Sequence, residues 1–261
     1  EPSPFVEQVM ADAERLSAED EPYHREPITY EAPYLDNLPT APREKFAANI
    51  AAIQKLKEIE QRVANGGSPA FEDEQKILAQ YTGWGGLSDA FDPNKSAWSN
   101  EYRQLKAALS ESEYEAARSS TLTAFYTPAT VIHPIYRALE RFGVKGGKIL
   151  EPSMGTGAFL AHGHFGSSDA KFYGVELDSI TGRISKQLYQ KANIQVTGYE
   201  NALLPDNYFD CVIGNVPFGN FQVNDPQYNR LHFKIHDYFF AKSIDKLRTG
   251  GLGFVLAVHL K

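Results

Sequence analysis

From Ser120 onward the chain alternates short apolar runs with longer helix-patterned stretches, and that alternation leaves few architectures open. Residues 148–151, 172–176, 194–197, 209–214 and 253–258 read as five short buried strands. Helical stretches separate them near 129–142, 156–163, 179–192 and 234–247. This order predicts an α/β fold: a mostly parallel sheet with helices over both faces.

The preceding residues have a different texture. Residues 1–42 hold seven of the fifteen prolines, and residues 1–40 hold ten Asp/Glu against two Arg. The prediction is an acidic, Pro-rich arm, extended or poorly ordered along the body and dispensable for the core. Between 44 and 64, Phe46, Ile50, Ile53, Leu56, Ile59 and Val63 recur at helical steps, and Asn65-Gly66-Gly67 supplies a stop. Shorter helices are expected at 71–81, 99–109 and 111–118, the last with Ser110 and Glu113 as a capping box. Within Tyr81-Thr82-Gly83-Trp84-Gly85-Gly86-Leu87, Trp84 is expected to plug the core beneath a glycine turn. The domains read as 1–42 arm, 43–120 small helical domain and 121–261 α/β core.

Composition excludes several classes. No stretch approaches the roughly 18 apolar residues of a membrane span, and the start shows no basic region followed by an apolar run. A single cysteine, Cys211, excludes an internal disulfide framework and a multi-cysteine zinc site; it points to a reducing, cytoplasmic setting and should be an inert packing thiol. Outside the acidic arm the charge is nearly balanced, and no long Lys/Arg stripe announces nucleic acid. His232 and His236 stand four apart without the glutamate of a zinc-protease motif and are expected to be core or capping residues. His162 and His164 are expected in a surface loop. No metal site is predicted.

Three motifs carry chemistry. Ile149-Leu150-Glu151-Pro152-Ser153-Met154-Gly155-Thr156-Gly157-Ala158-Phe159-Leu160 takes a strand through a glycine loop into a helix, where a ligand can approach the backbone. Gly174-Val175-Glu176-Leu177-Asp178 ends the second strand on an acid that can accept from both hydroxyls of a ribose. No third glycine follows Gly157 at the dinucleotide spacing, so a nucleoside without pyrophosphate is favoured. Asn215-Val216-Pro217-Phe218 ends the fourth strand. An Asn oxygen and the next backbone carbonyl can accept from one planar NH2 group, while Phe218 offers a stacking face.

Together, in this order, these motifs resemble the S-adenosylmethionine-dependent methyltransferases that make N6-methyladenine in DNA. Ala124-Phe125-Tyr126-Thr127-Pro128, lying before the glycine loop, is similar to the gamma-type motif order. The stretches 81–91 and 114–128, with Asn-Val-Pro-Phe-Gly, resemble methylase regions of large plasmid- and phage-borne helicase–methylase proteins. The resemblance covers roughly residues 70–261. It implies a Rossmann-like core and S-adenosyl-L-methionine as cofactor, held by Tyr126, Thr127, Pro128, Glu151, Pro152, Gly155, Gly157, Phe159, Glu176 and Leu177. Glu200, Asn201 and Ala202 would flank its adenine, with the choice of acceptor between Glu200 and Asn201 open. Asn215, Val216, Pro217 and Phe218 would receive the target, a flipped-out or single-stranded adenine of DNA, with a helicase as a fused or associated partner in a restriction-modification or mobile-element setting. Two departures stand out. Val216 occupies a position usually held by Pro, and five strands fit where the family has seven, so the sheet is expected to be incomplete at its C-terminal side. The alternatives are a methyltransferase of RNA or of protein glutamine amides, which share the planar NH2, and a non-catalytic cofactor- or partner-binding module.

Overall fold

The computed structural model describes residues 26–30, 38–121, 127–163 and 170–257. Five strands form one sheet: β1 (Lys148–Glu151), β2 (Lys171–Glu176), β3 (Asn193–Val196), β4 (Phe209–Asn215) and β5 (Leu247–Leu256). All pairings are parallel and the order is β3-β2-β1-β4-β5. Strand order reverses between β1 and β4, so the loops leaving their carboxyl ends part and open a crevice, the usual ligand position in such sheets.

Helices cover both faces. α5 (Ala129–Arg141), the single-turn α6 (Ala158–Ala161) and α7 (Ser179–Leu188) lie with the residues packed on one side, and α8 (Ile235–Lys246) lies on the other. Alternation along β1 sends Ile149 into the first cluster and Leu150 into the second. α6 starts later than its sequence pattern suggests, because Gly155 and Gly157 both take positive φ. β5 begins six residues earlier than expected. It leaves Lys246 of α8 directly, and its pairing with β4 jumps from Phe209↔Leu247 to Cys211↔Leu252 across a bulge containing Gly250 at φ +77°. The expected end of that strand, Val258, lies outside the described residues.

Upstream stand α1 (Pro42–Ala64), α2 (Glu72–Leu78), α3 (Ser99–Ala108) and α4 (Glu111–Ser120). The apolar stripe of α1 is buried except at Val63, which is 40% exposed. Trp84 is fully buried between Phe46 and Phe91, as a core plug. Its turn is held by Asn49, whose amide donates to the Gly83 carbonyl at 2.6 Å and accepts from the Thr82 N–H at 2.8 Å. The helical layer shares one apolar cluster with Ile180, Ile184 and Leu188 of α7. Arg183 bolts this joint: it forks onto Glu60 of α1 at 2.7 and 2.5 Å and reaches Glu113 of α4 at 2.6 Å. Burial opposes ionisation of Glu113, but the Ser110 N–H, Arg183 and Lys57 outweigh it and hold the carboxyl down at about 2.

Of the arm, residues 26–30 run extended beside the end of α7. Thr29 forms an antiparallel bridge with Tyr189, and backbone bonds join Tyr30 to Leu188 and Gln190 to Ile28. Among the described residues no helix is long and apolar enough to cross a membrane.

A candidate active site at the carboxyl edge of the sheet

The β1 loop is shaped by two glycines. Gly155 and Gly157 sit at φ +55° and +79°, and a Cβ on Gly157 would stand 2.3 Å from the Tyr189 ring. Gly157 is therefore held by close packing as well as by its backbone geometry. The Met154 N–H donates to the Val175 carbonyl at 2.9 Å, and Ser185 Oγ donates to the Gly155 carbonyl at 2.9 Å. These bonds tie the loop to β2 and α7.

Two acids line the crevice. Glu151, at the end of β1, is 2% exposed, and its Oε2 has no hydrogen-bond partner. Burial, and then the charge of Glu176, push its carboxyl well above the usual carboxylate range. Glu176, at the end of β2, accepts from the Gly155 N–H at 2.7 Å and the Asp178 N–H at 2.8 Å. Burial is the main influence on Glu176 and lifts its carboxyl to about 7. A carboxylate has about four acceptor positions, so Glu176 retains capacity for ligand hydroxyls. Leu177 beside it is 76% exposed. After β3, Asn201 donates its amide to Glu200 Oε1 at 2.9 Å, and Ala202 follows partly buried. One Glu200 oxygen is thus engaged by its neighbour.

Across the crevice, β4 ends at Asn215. Its Oδ1 is buried and lacks a partner, and its backbone carbonyl accepts from Ser153 Oγ at 2.8 Å. That bond fastens the glycine loop to the Asn-Val-Pro-Phe segment. Val216 is buried with its N–H on the Leu256 carbonyl at 2.8 Å, so β5 fixes the turn that lacks the usual Pro. Pro217 is half-buried. Phe218 is 41% exposed and stacks on His236, with ring centroids 4.6 Å apart and planes 14° from parallel.

The segment after Phe218 is pinned to α8. The Ile235 N–H donates to the Phe221 carbonyl at 2.9 Å. Asp225 accepts from Lys242 Nζ and Tyr238 Oη, both at 2.8 Å. Burial raises the Asp225 carboxyl, but those two donors outweigh it and leave it below its ordinary value. The Lys242 ammonium lies 5.1, 6.0 and 5.7 Å from the Tyr199, Tyr228 and Tyr238 ring centroids.

The structure brings together Glu151, Gly155 and Glu176 on one side of the crevice and Asn215 to Phe218 on the other. Pro152 is buried where the β1 loop begins, and Thr127 and Pro128 stand at the start of α5. Tyr126 lies outside the described residues, as does His164. Phe159 is placed elsewhere than expected: its side chain is buried in the cluster between α5 and the sheet. His162 is buried against His133, with ring nitrogens 3.3 Å apart, not in an exposed loop. His232 is exposed at φ +51° and caps the end of a short 3-10 turn, the second of the two places expected for it. Among the described residues no cluster of His, Cys, Asp or Glu is arranged for a metal. Burial pushes the Cys211 thiol up to about 12, so it is inert. Sequence reasoning passed over the stacking of His236 on Phe218 and the Ser153 link. Residue spacing alone carries no signal for either.

The parallel sheet, its switch-point crevice, the glycine loop and the acid ending β2 define a Rossmann-like methyltransferase core. The N-6 DNA Methylase family matches residues 112–246, just over half of the chain, and the chain belongs to that family. S-adenosyl-L-methionine is the corresponding cofactor. The orphan oxygen of Glu151 and the spare acceptor capacity of Glu176 fit its cationic and hydroxyl-bearing parts. The chain is 28% identical over 238 residues to Defense against restriction protein B of Escherichia phage P1, a match covering 89% of this chain and 9% of that protein. It is 33% identical over 95 residues to Modification methylase CviBIII of Paramecium bursaria Chlorella virus NC1A, covering 36% of this chain and 25% of the methylase. The chain thus spans a quarter or less of these relatives. Among solved structures, an rRNA methylase from Streptococcus thermophilus is 19% identical, covering 52% of this chain and 74% of that one, with TM-score 0.35. A SAM-dependent methyltransferase from Aquifex aeolicus is 15% identical, covering 47% and 69%, with TM-score 0.30.

Proposed function

We propose that this chain carries the site that transfers a methyl group to the N6 amino group of adenine in DNA. The observation that carries the reading is the buried, unpartnered Oδ1 of Asn215, at the crevice and three residues before the half-exposed Phe218. A buried acceptor without a donor is costly, and a planar amino group would satisfy it. Membership of the N-6 DNA Methylase family, with the likeness to a viral modification methylase, supports adenine in DNA as the acceptor, and the name of the phage relative supports protection from restriction, within a longer polypeptide, as the setting.

The chain's residues hold the acceptor rather than attack it. Asn215 Oδ1 and the Val216 carbonyl accept from the two amino protons, and Phe218 fixes the plane of the base. The nitrogen lone pair is then aimed out of the hydrogen-bonded plane. When bound, S-adenosyl-L-methionine would supply an electrophilic methyl to that lone pair, and the amino group's surplus proton would pass to solvent. Such alignment is worth up to roughly 7–11 kcal/mol of barrier. A paired adenine cannot reach this crevice, so it is flipped out or already unpaired. Glu176 would hold the ribose hydroxyls, and Glu151 and the glycine loop would lie about the methionine part.

Incubating the protein with methyl-labelled cofactor and pools of DNA, RNA and protein tests the reading. Label recovered as N6-methyladenine in DNA supports it; label recovered in RNA or in glutamine amides instead overturns it.

A further inference from the structure

The most deeply buried polar group of the crevice that nothing satisfies is an acid. Glu151 lies at the end of β1, its Oε2 without a partner, and none of the ion pairs among the described residues includes it. The titratable groups around it are acidic or neutral. Glu176 ends the neighbouring strand, with Asp178 two residues on, and the hydroxyls of Tyr136 on α5 and Tyr189 after α7 lie close enough to feel its charge. Cys211 on β4 shares that sheet face. Burial keeps both phenols and the thiol protonated. With no cation beside it among the described residues, burial and Glu176 together favour the neutral form of Glu151.

The donor and product of methyl transfer differ at one atom: the donor carries a sulfonium, the product a neutral thioether. We propose that Glu151, with Glu176 beside it, selects the cationic donor over the neutral product by holding a proton in the ligand-free protein and releasing it when the sulfonium enters. The carboxyl O–H bond breaks, the proton passes to buffer, and the carboxylate left behind balances the sulfonium. Once the methyl has gone, that carboxylate faces a neutral sulfur and takes a proton back from solvent; the ammonium common to both ligands cancels in their comparison. Glu151 is thus a specificity-determining residue for the donor, a role that rests on the placement of the cofactor in this crevice.

Calorimetric titration of the 261-residue chain with S-adenosylmethionine and with S-adenosylhomocysteine, each in two buffers of different protonation enthalpy, counts the protons. Near neutral pH the donor should release up to about one proton more than the product, and the donor-to-product affinity ratio should rise by as much as tenfold per pH unit. Glu151→Gln keeps the size of the neutral acid and should abolish both the excess proton and the slope of the ratio. Equal proton counts for the two ligands overturn the proposal, as does an excess that survives in folded Glu151→Gln. Glu176→Ala separates the two levels. Unchanged donor affinity in that variant removes the cofactor placement itself, whereas weakened affinity with equal proton counts removes only the charge selection. Failure of both ligands to bind overturns both.

Discussion

The joint between the helical layer and α7 gathers half-buried charge and the crevice at the end of β1 and β4 gathers buried acids, yet they treat these groups in opposite ways. At the joint every charged group has a counterpart: Arg183 serves Glu60 and Glu113, and Lys57 adds a second cation to Glu113. Trp84, whose Nε1 lacks a partner, is the exception in that layer. At the crevice Glu151 and Asn215 each keep a bare buried oxygen, and among the described residues two acids stand without a cation. The first arrangement stabilises the chain by itself. The second is costly until something binds, which is the pattern of a site where fold stability is given up for ligand affinity.

The sharpest way to break this contrast is Asn215→Ala. If its oxygen is kept bare for an amino group, methyl transfer should fall by roughly a hundredfold or more, the scale of losing one preorganised polar contact. Cofactor affinity, read by calorimetry, should stay nearly intact. A stability loss with activity falling only in proportion would make Asn215 a turn cap.

Arg183→Ala tests the other side. It strips Glu60 and Glu113 of their partner and should cost roughly 1.5–3 kcal/mol, lowering the melting midpoint by about 2–4 °C per kcal/mol for a chain of this size. Cofactor affinity of the folded protein should not change.

The regions should also answer pH with opposite sign. Glu113 is held at about 2, below its unfolded value, so its contribution is present above the ordinary carboxylate range and disappears as pH falls toward 2. Glu176 is lifted to about 7, so the folded chain binds the extra proton between the ordinary value and 7. Its contribution is therefore fully present below about pH 4.5 and lost as pH rises through 7. Melting midpoints of wild type and Glu176→Gln across pH 4–8 check this: the variant should gain on wild type toward pH 8. The smallest effect belongs to the arm. Removing residues 1–30 deletes the bridge to Tyr189 and its flanking backbone bonds and should cost roughly 0.5–1.5 kcal/mol. An aggregating product would show that the arm belongs to the fold.

Much of this was legible beforehand. β1 and β4 are short, apolar and buried on both sides, so their bounds could be read to within a residue. The Ser110–Glu113 capping box was visible because it is entirely local, and both of its bonds are present. β5 starts earlier than its apolar pattern because a bulge lets an apparently unsuitable Arg248-Thr249-Gly250-Gly251 stretch join the strand. Phe159 reads as a motif residue, but the direction of its side chain depends on where α6 begins, and two positive-φ glycines set that. His162 looked like a loop residue because its burial comes from His133, on another helix. Contacts of that range leave no local periodicity.

The three phenol rings and the carboxylate around Lys242 have a practical consequence. An amine so enclosed is shielded from acylating reagents, whereas exposed lysines such as Lys95 and Lys106 stand in water. The rate at which Lys242 becomes labelled then measures how often the segment carrying Asp225 and Tyr228 lifts from α8. Since that segment follows directly from Phe218, labelling of the lysine reports any opening of the crevice on that side.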